Sequence, residues 1–257
     1  MALLQVNFFS DTLGMSTSMN VIMPEYTEEG ASIPVLYLLH GMSDDHTAWC
    51  RYTSIERYAQ ERGIAVVMPT TALGWYTDMY VGYNYFTFIT DELPKIVKSF
   101  FPRISQKREE TFVAGLSMGG YGALKCALLR SDVFSKAGCL SGALDVAELY
   151  KNWASLEDEK TFWEDIFGPR RKLRGSGNDL MAEAEKRATC ETNPDIFVWC
   201  GKQDFLYKNN LRAVRKLKSL GYNVTATYSA GDHQWKYWDQ HIQDILDWMG
   251  LAKKEVK

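Results

Sequence analysis

Gly115-Leu116-Ser117-Met118-Gly119 sets a serine between two glycines, each two residues away, in the pattern GxSxG. A serine hydroxyl is a weak nucleophile until a base takes its proton, so a histidine must lie within hydrogen-bond reach. The chain has four histidines: His40, His46, His233 and His241. Where GxSxG forms a nucleophile turn, the partners follow in the order serine, acid, histidine. Two histidines follow Ser117. His233 comes just after the last apolar run, whereas His241 falls two turns into the next helix and reads as a surface or packing residue. The acid must hold the imidazole and stabilise its charged form. Asp204, in Gly201-Lys202-Gln203-Asp204, follows an apolar run as a loop acid should. Asp145 follows the preceding run and remains a rival. Asp195 precedes its run, and Asp232 adjoins His233 and is expected to shape that loop.

Acyl transfer also needs donors for a tetrahedral oxyanion. The backbone N–H of Met118 is one candidate, since it follows the serine. The other is the N–H of Met42 in His40-Gly41-Met42, where glycine lets the chain turn inward. His40 reads as a supporting residue and His46 as a surface one. Trp49, Trp75, Tyr80 and Trp235 are the aromatic residues expected to wall a substrate pocket, although packing alone explains each of them.

GxSxG alone arises readily by chance; its setting carries the weight. Thr111–Ala114 reads as a strand, and from Met118 onward Tyr121, Leu124 and Leu128 recur at helical spacing. Strand, sharp turn and helix are what the motif requires. Seven further runs read as strands: Leu3–Ser10, Ser18–Met23, Val35–Leu39, Ala65–Met68, Ala137–Leu140, Ile196–Cys200 and Val224–Tyr228. Runs such as Val35–Leu39 are apolar throughout, as strands buried on both faces of a parallel sheet are. The first two alternate, as an antiparallel edge does. Helices are expected at Ser54–Arg62, Asp91–Phe101, Met118–Leu129, Tyr207–Leu220 and Trp235–Trp248, with Pro94 tolerated in a first turn. This alternation predicts a single doubly wound α/β domain over residues 1–257, whose site lies beyond the carboxyl ends of the strands. Residues 145–177, with Trp153, Trp163 and Phe167, exceed a normal connection and are expected to form a small helical cap over the site.

Composition narrows the partners. A 257-residue chain with 46% hydrophobic residues builds one substantial core. A net charge of −3 offers no general attraction for nucleic acid or an acidic membrane surface, and no apolar run reaches bilayer length. The first fifteen residues lack the pattern of a secretion signal. Five scattered cysteines without a CxxC pair read as reduced thiols. The expected compartment is therefore the cytoplasm, and the expected partner a small-molecule ester. Neither metal nor other cofactor is expected, because serine chemistry needs none and the Cys and His spacings form no ligand set. Activity is accordingly expected to survive EDTA and mild reductant; loss on chelation, restored by one metal, contradicts this.

Together, Leu39-His40-Gly41-Met42, Trp75-Tyr76-Thr77-Asp78, Gly115-Leu116-Ser117-Met118-Gly119-Gly120-Tyr121-Gly122, Gly201-Lys202-Gln203-Asp204 and His233-Gln234-Trp235 resemble the esterase D group. Within it, the chain most resembles the tributyrin esterases of Gram-positive bacteria, over nearly its whole length. The resemblance implies an α/β-hydrolase fold with a mostly parallel eight-stranded sheet, helices on both faces and hydrolysis of short-chain acyl esters. It assigns Ser117, Asp204 and His233 as the triad, and implies a homo-oligomer. S-formylglutathione hydrolases and acetyl- or feruloyl-carbohydrate esterases are similar too. The segment after Gly41 departs from the Thr-Cys-Thr pattern of the formylglutathione enzymes, while His233-Gln234-Trp235 looks more like the carbohydrate esterases. Acyltransferases resembling the mycolyltransferases, and binding proteins on an inactive scaffold, are the other classes. Product analysis with a competing alcohol separates the first, and turnover of a fluorogenic ester the second.

Overall fold

The computed structural model describes residues 1–25, 30–153, 157–251 and 253. The described residues form eight strands: β1 (Ala2–Ser10), β2 (Met15–Met23), β3 (Val35–Leu39), β4 (Ala65–Pro69), β5 (Thr111–Leu116), β6 (Lys136–Leu140), β7 (Asp195–Gly201) and β8 (Val224–Ser229). They join in one sheet in the order β1-β2-β4-β3-β5-β6-β7-β8. From β4 to β8 every pairing is parallel, while β2 runs antiparallel to both β1 and β4. Each strand expected from the sequence is present, with ends shifted by at most a few residues.

The parallel strands are buried on both faces because each face carries its own core. Tyr37, Leu39 and Val113 pack into one cluster, and Leu36, Leu38, Phe112 and Ala114 into the other. The period-2 alternation of side chains divides each apolar run between the two. Helices α1 (Ala48–Tyr52), α2 (Ile55–Arg62) and α11 (Trp235–Trp248) cover the second cluster. The first lies under the helices from α3 (Tyr85–Thr87) and α4 (Leu93–Phe100) through α5 (Met118–Leu129). It continues beneath α6 (Val146–Trp153), α7 (Glu157–Phe167), α8 (Arg170–Leu173), α9 (Leu180–Arg187) and α10 (Tyr207–Ser219).

The short helix α1 is not among the expected helices, and two further helical features differ from expectation. The helix before β5 begins at Tyr85 rather than Asp91 and contains a π-helical stretch, Phe88–Glu92, before α4. Pro94 has no N–H to give the carbonyl of Thr90 and its ring crowds it, so the ladder widens there. The Thr90 oxygen accepts from Arg130 Nη1 at 3.4 Å instead. Helix α9 was absent from the sequence reading; Asp179 caps it by accepting from the Ala182 N–H at 3.2 Å.

Residues 145–177 supply α6, α7 and α8. Their described side chains pack beside the nucleophile helix: Trp163 and Phe167 lie 5.4 and 5.6 Å from Trp75, and Phe167 lies 6.0 Å from Tyr121 of α5. The Trp153 side chain lies outside the described residues.

Candidate active site

The parallel register aligns the loops that carry chemistry. Leu39 pairs with Gly115, Leu116 with Leu140, Leu140 with Trp199, and Gly201 with Ser229. The segments after β3, β5, β7 and β8 therefore emerge along one sheet edge, bringing residues 40–42, 117, 204 and 233 together.

At β5 the chain turns sharply. Ser117 has φ 52° and ψ −116°, a left-handed conformation that few non-glycine residues adopt. Such a turn needs close backbone approach: a Cβ on Gly119 would lie 2.4 Å from the Leu39 oxygen. Any larger residue there would push α5 away from the loop after β3. Helix α5 starts at Met118, so its first N–H groups have no acceptor within the helix and form a partially positive end beside Ser117.

His233 Nε2 lies 3.0 Å from Ser117 Oγ, and its Nδ1 lies 2.8 Å from Asp204 Oδ2. An ionised carboxylate only accepts, so Nδ1 carries the hydrogen and Nε2 is the lone pair facing the serine hydroxyl. The Asp204 side chain is fully buried, and its Oδ1 accepts from the Leu206 N–H at 2.8 Å. Burial pushes this carboxyl up, but the hydrogen bond and charge of His233, with the Leu206 amide and Ser141, hold it below the usual carboxylate range. The His233 ring packs between Phe205 and Trp238, at 4.6 and 4.9 Å.

Asp145 is held elsewhere. Its carboxylate accepts from the Glu148 N–H and from Arg212 Nε, both at 3.1 Å. Of the two rival acids, the structure brings Asp204 to His233.

The loop after β3 is gripped at three successive carbonyls. Trp49 Nε1 donates to the Leu39 oxygen at 3.1 Å, the Tyr76 hydroxyl to the His40 oxygen at 2.9 Å, and His40 Nδ1 to the Gly41 oxygen at 2.7 Å. Because His40 Nε2 accepts from the Thr71 N–H at 3.1 Å, the ring must be the Nδ1–H tautomer. Burial lowers the His40 pKa to about 4, so the ring is neutral at physiological pH. In a trans peptide the carbonyl and the following N–H point in opposite directions, so holding the Gly41 oxygen orients the Met42 amide. His40 is thus a structural support, as its sequence position suggested. His46 is also tied down, with Nδ1 2.6 Å from Thr70 Oγ1. His241 stacks on Trp199 at 4.0 Å.

The cleft beside Ser117 has a volume of about 380 Å³. Gly41, Met42, Asp44 and Leu116 line one part of it, and Phe205, His233, Trp235 and Trp238 another. Of the four expected walls, Trp235 alone is in this lining. Trp49 sits behind it at 5.1 Å, spending its N–H on the Leu39 carbonyl. Trp75 is 3% exposed and packs against Trp163, Phe167 and Tyr121, because its φ of 50° turns it into the core. Tyr80 packs on Gly168 and accepts from Lys172 Nζ at 3.0 Å. No described residue of 145–177 lines the cleft. The sequence reading missed Phe205, Trp238 and Asp44. Phe205 follows the acid directly, and Trp238 lies one helical turn beyond Trp235; both spacings were visible. A larger groove, about 490 Å³, lies among residues 30–32 and 102–107, near the amino ends of β3 and β5 and away from this chemistry.

A serine–histidine–aspartate relay with a buried aspartate, on a nucleophile turn at the carboxyl edge of this sheet, defines an α/β-hydrolase. The family model described as "Putative esterase" matches residues 10–249, and the chain belongs to that family. It is 31% identical to the acetyl esterase of Caldicellulosiruptor saccharolyticus, across 97% of this chain and 98% of the relative. Among solved structures it resembles the substrate-bound fluorophosphonate-binding serine hydrolase F of Staphylococcus aureus. That likeness has a TM-score of 0.87 and 37% identity, covering 96% of this chain and 98% of that one. The S-formylglutathione hydrolase of Staphylococcus aureus matches with a TM-score of 0.85 and 37% identity, at the same coverage. The protein is a carboxylic ester hydrolase of the esterase D-like group.

Proposed function

We propose that the protein is a serine carboxylesterase that hydrolyses short-chain acyl esters through an acyl-enzyme, in the manner of the tributyrin esterases. The relay from Ser117 through His233 to Asp204, at 3.0 and 2.8 Å, carries this reading. Ser117 Oγ attacks the ester carbonyl while His233 Nε2 takes its proton. The Met42 and Met118 N–H groups hold the oxyanion. His233 then returns the proton to the departing alcohol oxygen, leaving the acyl group on Ser117. Water, deprotonated by the same nitrogen, releases the acid. Asp204 keeps the imidazole in the Nδ1–H tautomer and stabilises the imidazolium. The expected cytoplasmic location is part of this proposal, with all five cysteines present as free thiols.

Acyl length tests the short-chain part. Each methylene buried from water contributes about 0.8 kcal/mol, roughly fourfold in kcat/KM, until the space is filled. Leu116 and the bulky Trp235 and Trp238 are walls of this cleft, and the short-chain reading has the acyl space between them filled early. In a p-nitrophenyl ester series, kcat/KM is expected to peak between acetate and butyrate and to fall beyond about six carbons. An optimum at octanoate or longer would show a deep acyl channel. The likeness to the Staphylococcus aureus S-formylglutathione hydrolase favours a second reading, thioester hydrolysis by the same residues.

A further inference from the structure

Two of the described residues lining the Ser117 cleft ionise: His233, which the proposed chemistry uses, and Asp44, which it does not. The lining otherwise includes Met42, Leu116, Phe205, Trp235 and Trp238, and no lysine or arginine. Asp44 is folded back over the loop after β3. Ser43 has a left-handed φ of 70°, and the Asp44 N–H donates to the Gly41 oxygen at 3.3 Å. Asp44 Oδ2 consequently lies 3.1 Å from where a Gly41 Cβ would be, next to the peptide that bears the Met42 amide. Burial and the neighbouring Asp45 push the Asp44 carboxyl up, against the Gly41 amide and Arg51, which pull it down.

Resting on the serine-esterase reading, we propose that Asp44 makes the cleft a charge filter, admitting esters of neutral or cationic alcohols and rejecting those of anionic ones. The departing alcohol takes its proton from His233, so it leaves through a volume that His233 and Asp44 both line. At an effective dielectric near 20, a unit charge about 8 Å from the carboxylate changes its interaction on the order of thirtyfold. The aromatic faces of Phe205, Trp235 and Trp238 reinforce the preference, since they attract cations. Thioesters of glutathione, which bears two carboxylates, fall on the rejected side.

The test compares kcat/KM for acetylcholine, its uncharged isostere 3,3-dimethylbutyl acetate, and 3-acetoxypropanoate, at about pH 8 where carboxylates are ionised. The wild-type cation-to-anion ratio is expected to exceed about thirtyfold, and Asp44→Asn to reduce it at least tenfold. The ratio cancels the fraction of folded enzyme, so general damage does not move it. A ratio that changes less than about threefold in Asp44→Asn overturns the proposal. If that variant fails to fold, the wild type decides: raising salt from about 20 to 500 mM shortens the screening length to a few ångströms and should compress the ratio several-fold. A wild-type ratio near one, or one that salt leaves unmoved, overturns the proposal. p-Nitrophenyl acetate separates the two levels. If it is not hydrolysed, the esterase reading fails; if it is, the charged series judges Asp44 alone.

Discussion

Ser117→Ala is expected to fold normally and to lose kcat by roughly a million-fold, as when the nucleophile of a comparable triad is removed. The residual rate comes from the oxyanion donors and from binding, on the order of a thousandfold over water. Alanine retains the strained left-handed turn at φ 52°, so melting curves of the two proteins isolate the loss of the hydroxyl. An organophosphonate probe should label the wild type at Ser117, located by peptide mass mapping, and leave the variant unlabelled. Substantial turnover by the purified variant, or a label on another residue, would remove Ser117 from the mechanism.

Asp204→Asn should cost about ten-thousandfold in kcat while changing the fold little. An asparagine amide can donate to His233 Nδ1, and the ring then carries its hydrogen on Nε2. That nitrogen faces Ser117 Oγ at 3.0 Å and could no longer accept its proton. The contact to the Leu206 N–H survives in the variant, because asparagine keeps an oxygen there. Asp145→Asn is the matched control. Its carboxylate serves the start of α6 and the half-exposed Arg212, so the expected effect is at most about 1 kcal/mol of stability with most of the turnover retained. Kinetics and thermal melts of the two variants side by side decide the matter. If Asp145→Asn is the crippled enzyme, the acid belongs to the loop after β6 and the relay seen here is incidental.

The parts of the site that were legible in the sequence are those encoded locally. A strand buried on both faces must be apolar throughout, so Val35–Leu39 and Thr111–Ala114 announce themselves. A serine between glycines on a strand-to-helix turn has few other uses. Parallel strands put every following loop on one edge, so the order of Ser117, Asp204 and His233 along the chain already implied their meeting. The structure brings these residues within hydrogen-bond reach of one another despite a separation of 116 positions between Ser117 and His233.

The walls of the cleft were decided by the tertiary structure. Burying a tryptophan is favourable wherever its ring is enclosed and its N–H paired, so residue type does not say which cavity it faces. Trp75 was drawn into the core by Trp163, Phe167 and Tyr121, and Trp49 by the Leu39 carbonyl. Tyr76, which entered the sequence analysis only within Trp75-Tyr76-Thr77-Asp78, holds the His40 carbonyl from 36 residues away. Asp44 entered the cleft because Ser43 took a left-handed turn, and side-chain spacing carries no record of a single φ angle. Periodicity and chain order thus determined the scaffold and the meeting of Ser117, Asp204 and His233. The surface that an ester meets was set by contacts between distant segments, where several packings satisfy the same hydrophobic pattern and only the assembled fold chooses among them.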